Sequence, residues 1–318
     1  MESKKLSKVK IWRFIGPLIV AAAILWAGPS KVWNILSAAD IKLISLAAFL
    51  AIPMTVIKGI RWQLLLRSYN IELSFAESTS MYSVGMLFSG ITPGRIGDLV
   101  KILMLIKKGC SVAKAIASNI FDRLFDVVFV VFAGYFGMWY FSKFFTAQLN
   151  IINIIFFIVL VLACAFFFQR KLIKKIAIKL VPSQYRPVVL ESWNEIIAGF
   201  FKNRTSRLVW IAFWTIIFWT TQFFVIYLCG RAVGIEISFF YISACAAVAM
   251  TLSLLPITVA GVGTRDAAFI LLLGQVGIAK EQSLAFSSLV LAIFLINCLV
   301  FYAVSVILGT DKKENIEK

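Results

Sequence analysis

Two short stretches hold the residues best placed to do chemistry: Ser89-Gly-Ile-Thr-Pro-Gly-Arg-Ile-Gly-Asp98 and Leu255-Pro-Ile-Thr-Val-Ala-Gly-Val-Gly-Thr-Arg-Asp266. Each sets a proline, glycines, an arginine and an aspartate in the middle of an apolar run. Proline removes a backbone donor and glycine loses extra backbone entropy, so both break a helix. In hydrocarbon a broken backbone survives only where protein or a water-filled cavity satisfies it. An Arg or Asp at membrane depth costs roughly 2.5–3.5 kcal/mol on insertion scales. A bound polar ligand would offset that cost at both breaks. The chemistry is anion capture: Arg95 and Arg265 can each take a phosphate bidentately. Gly94, Gly97, Gly261 and Gly263 form the broken backbone of the pocket. Asp98 and Asp266 each either cap their own helix or pair with the neighbouring Arg to keep the empty site near neutral. The bland alternative is a pair of tight packing turns with internal ion pairs.

A second polar cluster, Asn119, Asp122, Arg123 and Asp126, opens a later apolar run. Asp122 and Asp126 are one turn apart and share a helix face. Lining the cavity, they would hold Arg95 or Arg265, or carry a coupling proton. At a helix end, Arg123 would instead snorkel to headgroups. Lys58, Arg61 and Trp62 read as interface anchors, with a headgroup role as the alternative. Asn297, Gln222 and Thr221 read as interhelical hydrogen-bond partners. The chain has no histidine, which removes histidine bases and histidine metal sites. Cys110, Cys164, Cys229, Cys245 and Cys298 have no paired spacing and read as small apolar residues. No metal and no cofactor is expected.

The elements that must position these residues follow from composition. The chain has 318 residues, 61% hydrophobic and 15% charged, with mean hydropathy +0.93. That defines an all-α polytopic membrane protein with one membrane domain over 14–309. A basic cytoplasmic segment, 1–13, precedes it and a cytoplasmic tail, 310–318, follows. The short tails leave no room for a soluble catalytic module, so an enzyme is not expected. The net charge of +17 falls in juxtamembrane loops, where it sets orientation and meets anionic headgroups. Nucleic acid is not an expected partner; membrane lipids are.

Apolar runs at about 14–27, 41–58, 120–141, 150–169, 208–229 and 284–308 predict about six full spans. The pairs 79–92 with 96–106 and 239–256 with 265–275 are each too short for two crossings, predicting two re-entrant half-helix pairs around the breaks; three crossings in the second region satisfy the charges equally. Nine Lys and Arg place the loop 170–207 in the cytoplasm, with an interfacial helix at 188–201. Both termini fall on the inner side of a cytoplasmic membrane. Sliding the chain by 168 positions aligns Asp98 with Asp266, Ile102 with Ile270, Leu105 with Leu273 and Gly109 with Gly277. The first pair enters from the cytoplasm and the second from outside. That is an inverted-topology repeat, with halves centred on 79–141 and 239–308, whose half-helix N-termini point positive ends at one pocket.

Lys58-Gly-Ile-Arg-Trp62, Thr92-Pro-Gly-Arg-Ile-Gly-Asp98, Asp122-Arg-Leu-Phe-Asp126 and Gly261-Val-Gly-Thr-Arg-Asp266 together resemble the transmembrane region of lysylphosphatidylglycerol synthases, also called the flippase-like or UPF0104 family. The resemblance runs from about residue 10 to 308. The chain departs from the family pattern at Asp98, Asp122 and Asp266, where Glu is common. The resemblance implies a lipid flippase domain without the aminoacyl-transferase domain of the full synthases. Stand-alone members resemble translocators of aminoacyl-phospholipids or polyprenyl-phosphate-linked sugars, working beside a separate lipid-modifying enzyme or glycosyltransferase. Two other readings stay open. One is a membrane-embedded glycosyl or acyl transferase with Asp122 or Asp126 as base. The other is a non-transporting partner in envelope-glycan assembly.

Overall fold

A computed structural model describes residues 29–92, 96–140, 205–253 and 263–307, with Ile154 and Ile158 as isolated helical positions. Every regular element among them is helical: α1 (Pro29–Ser37), α2 (Ile41–Ser68), α3 (Phe75–Ile91), a 3-10 turn (Ile96–Asp98), α4 (Leu99–Lys107), α5 (Val112–Tyr140), α6 (Thr205–Ala232), α7 (Phe239–Leu252), α8 (Thr264–Gly274) and α9 (Lys280–Ile307). Arg95, Gly94 and Gly261, the expected spans 14–27 and 150–169, most of the loop 170–207 and the tail 310–318 lie outside the described residues.

Helices α2, α6 and α9 are long and apolar enough to cross a membrane. α5 has 29 residues, but Asp122, Arg123 and Asp126 interrupt its apolar surface. Capping explains where several helices begin. Asp40 accepts from Lys42 N at 2.8 Å to start α2. Ser74 and Glu77 form a reciprocal capping box at α3, and Ser238 caps α7. One boundary differs from expectation. The predicted span 41–58 stops at the first charge, yet α2 runs on to Ser68 and carries Lys58 and Arg61 into the interior. Carboxylates on α5 compensate those charges, so the helix has no reason to end there. The expected outer loop 28–40 likewise contains the short helix α1.

The packing comes in mates. α2 packs on α6; α5 packs on α7 as α9 packs on α3; α4 packs on α5 as α8 packs on α9. α2 and α6 run antiparallel, because Asp40 N donates to Ala232 O at 2.9 Å at one end and Arg207 Nη1 to Arg67 O at 3.1 Å at the other. The turns that leave these helices match. Asn70 and Gly234 both have positive φ, 57° and 78°, and Ile71 N and Ile235 N close the same bonds, to Leu66 O and Gly230 O. Gly109 and Gly277, at φ 83° and 81°, do likewise after α4 and α8.

The polarity is inside-out relative to a soluble protein. Trp33, Phe49, Trp139, Trp210 and Phe240 are exposed, while Lys58, Arg61, Lys101 and Asp122 are buried. Exposed aromatic and aliphatic surface suits lipid, and small residues suit close helix contact. α7 shows the second feature: Ala244, Ala246, Ala247 and Ala249 are buried, and a Cβ on Gly137 of α5 would come within 2.4 Å of Ala244.

Candidate functional site

The buried charges converge between α2, α4 and α5. Arg61, only 1% exposed, commits its whole guanidinium to one cage. Nε donates to Asp122 at 3.1 Å, Nη1 to Asp126 at 2.7 Å and Thr215 at 3.2 Å, and Nη2 to the Asp122 carbonyl at 3.0 Å. Lys58 Nζ donates to Asp126 at 2.6 Å and sits 3.8 Å from the centre of the Phe218 ring. Trp219 Nε1 donates to the same carboxylate at 3.1 Å and Tyr82 OH to Asp122 at 3.2 Å. Interface anchoring, expected for Lys58, Arg61 and Trp62, is therefore corrected: all three are buried. A buried cation is tolerated only when it is paired and hydrogen-bonded, and α5 supplies two carboxylates on one face. Of the partners expected for Asp122 and Asp126, Arg95 lies outside the described residues; among the described ones they hold Arg61 and Lys58, not Arg265.

Lys101 completes the cluster, and the sequence reading missed it. It is fully buried, lies 3.5 Å from Asp122 and 3.8 Å from Asp98, and rests over the Tyr82 ring. Its stem fits because Gly85 faces it: a Cβ there would lie 2.4 Å from Lys101 Cγ. The signal was available, since a single Lys inside the apolar run Leu99–Ile106 is an intramembrane charge in its own right.

Asp98 does not cap α4 with its side chain. It pairs instead with Arg123, so that arginine faces the internal cavity rather than snorkelling to the bilayer surface. Asp98 Oδ1, Asn119 Oδ1 and Arg123 Nε are buried without a hydrogen-bond partner among the described residues. Gly97 brings the 3-10 turn against α3 so closely that a Cβ would lie 2.0 Å from the Phe88 carbonyl carbon. At the other break Asp266 does both things expected of it. It accepts from Gly263 N at 2.8 Å, with Gly263 at φ 96°, and pairs with Arg265 at 3.0 Å. Ser287 joins the pair: Arg265 Nε donates to its Oγ at 3.1 Å, and that hydroxyl donates to Asp266. Asp266 thus already occupies the first amide at the start of α8. Asn297 is an interhelical partner, donating to Thr55 at 3.0 Å.

A cavity of about 140 Å³ opens between the two sets. Lys58 from α2, Arg123 from α5 and Arg265 from α8 face it, beside Asp126. So do residues from matching positions of the mated helices: Met86 with Met250, Ser89 with Ser253, and Lys58 with Gln222. The cavity therefore brings Arg265 together with the α5 cluster, although Asp98, Asp122 and Arg61 stand behind its wall.

Buried charge facing an internal cavity, inside helices whose outer faces are apolar, is the pattern of a helical membrane protein. The chain belongs to the family described as the lysylphosphatidylglycerol synthase transmembrane region, which matches residues 13–304. It is similar to a UPF0104 membrane protein of Pyrococcus horikoshii, 23% identical over 86% of this chain and 89% of the relative. A UPF0104 membrane protein of Methanocaldococcus jannaschii is also 23% identical, over 96% of this chain and 94% of its own length.

Proposed function

We propose that the protein is a lipid flippase of the cytoplasmic membrane, moving a phosphate-bearing lipid between leaflets by alternating access. The observation that carries this reading is the cavity itself: three cations from three helices face it, inside a bundle whose outer surface is largely apolar. Such cations suit a phosphate, and the lipid chain can stay in the bilayer. The mated packing and antiparallel α2 and α6 support an inverted-topology repeat, whose halves rock about a shared site. On that reading α5 is a further span, α3 with α4 and α7 with α8 are the re-entrant pairs, and both termini are cytoplasmic. A separate enzyme would make the lipid.

A transferase would need a base reaching a donor. Asp122 and Asp126, the candidates, have their oxygens engaged by Arg61, Lys58, Tyr82 and Trp219. The test reconstitutes the chain in proteoliposomes with a fluorescent short-chain phospholipid and a short-chain polyprenyl phosphate. The expected result is movement of at least one between leaflets with its covalent structure intact. A chemically altered lipid, formed without transbilayer movement, would establish the transferase instead.

A further inference from the structure

The two walls of the cavity differ in charge. On one stand Lys58 and Arg123, with Arg265 at the second break; Asp126 is the lone carboxylate among the described lining residues. Asp126 has little left to offer a ligand, since Lys58, Arg61 and Trp219 all donate to it. Applying the spacing that relates the mated helices, the counterparts of Asp122 and Asp126 are Val290 and Phe294, and the counterpart of Arg61 is Val225. Among the described lining residues the second wall therefore carries no carboxylate; its polar members are Gln222, Ser253 and Arg265. An ammonium entering the cavity would meet three cations and no available carboxylate. A phosphate would meet Arg123 and Arg265.

Size adds a second limit. At about 140 Å³ the cavity is well below the roughly 300–1,000 Å³ of pockets that enclose drug-sized ligands. An adjoining pocket of about 50 Å³ shares Met86, Phe218, Val290 and Phe294 with it and continues past Met54 and Ile293. That continuation suits the first carbons of a chain.

We infer that the site selects a lipid with a compact anionic phosphate head and rejects one whose head carries an ammonium, such as an aminoacylated phospholipid. This deepens the flippase reading and rests on it for the site's purpose, so binding and movement are measured separately. The protein in nanodiscs is loaded with a fluorescent short-chain phosphatidic acid, which is then displaced by unlabelled competitors. Phosphatidic acid should displace it at concentrations at least about tenfold lower than lysyl-phosphatidylglycerol does. Gln222→Glu places a carboxylate on the second wall, which has none among its described residues, and should narrow or reverse that ratio; a variant that is merely unfolded loses both lipids. Equal affinity for the two lipids, or an unchanged ratio in Gln222→Glu, overturns the inference. Glycerol 3-phosphate, which has the head without the chain, should compete at least about a hundredfold more weakly. Competition as strong as the lipid's would make this a free-phosphate site and overturn the lipid assignment. Selective binding without movement of any lipid in proteoliposomes would contradict the flippase reading while leaving the selectivity standing.

Discussion

Arg61 and Arg265 are both buried arginines, yet their surroundings assign them different work. Arg61 bonds two carboxylates, a carbonyl and a hydroxyl, and has no face on the cavity. Removing one partner of a buried ion pair typically costs about 3–5 kcal/mol, because the other charge is left uncompensated. Arg61→Leu should therefore lose folded protein, read as a collapsed monodisperse peak on size exclusion in detergent. Arg265→Gln should stay folded, since Ser287 and Asp266 can still bond the amide, and should lose lipid movement. A folded, active Arg61→Leu would refute the structural role. At this scale the sequence showed that Asp122 and Asp126 share a face, because one helical turn separates them. It did not show their partners: Arg61 and Lys58 lie more than 60 positions away, and only helix packing sets that distance. Lys101 and Asp122 are 21 positions apart on different helices, and again only packing brings them together.

The helices themselves were largely legible, because proline and glycine mark the breaks and apolar length marks the rest. Boundaries failed where a charge was taken as an interface, as at Lys58. The pairing of α3 with α4 depends on two local features. Gly97 lets the 3-10 turn approach the backbone of α3, where no side chain can move aside. Gly97→Ala should cost about 1–3 kcal/mol, the usual range for overpacking, and appear as a lowered melting temperature in detergent. An unchanged melting temperature would mean that the turn can slide away. At the other end of the pair, Lys108 donates to Glu77 at 2.5 Å. That ammonium, with help from Ser74, holds the Glu77 carboxyl down at about 2. A depressed carboxyl contributes stability above its ordinary range and loses it as pH falls toward the folded value. Both groups are more than a third exposed, so the contribution is small, as for surface pairs generally. Glu77→Gln should lower the melting temperature slightly at pH 7, with the difference shrinking below about pH 4. A difference that grows on acidification would contradict the pairing.

For the whole molecule, the proposed inverted repeat, supported by the matched turns and antiparallel mates, puts the two ends of the bundle on opposite sides of the membrane. Glu236 follows α6 and Lys108 follows α4, and both are exposed. In a variant whose five cysteines are replaced by alanine, Glu236→Cys should react with an impermeant maleimide from outside cells. Lys108→Cys should react only after the cytoplasmic face is opened. Labelling of both from one side would contradict the inverted arrangement. The proposed repeat shows in the sequence only from Asp98 onward, at a spacing of 168. Before the break the mates are 164 apart, as Asn70 and Gly234 show. The change of register falls within the broken motif, so one sliding offset cannot find both. A pocket holding Arg265 and Asp126 was legible, but the rest of its lining was not, since it needs the mated pairs Met86 with Met250 and Ser89 with Ser253 to meet.

The most direct measurement compares wild type with the double variant Arg123→Gln and Arg265→Gln in proteoliposomes carrying a fluorescent short-chain phosphatidic acid. The rate of loss of outer-leaflet accessibility is followed for equal amounts of folded protein. The cation-lined cavity predicts movement by wild type and a fall of more than about tenfold in the variant. Equal rates in the two would show that lipid passes without these cations, and the central claim would be wrong.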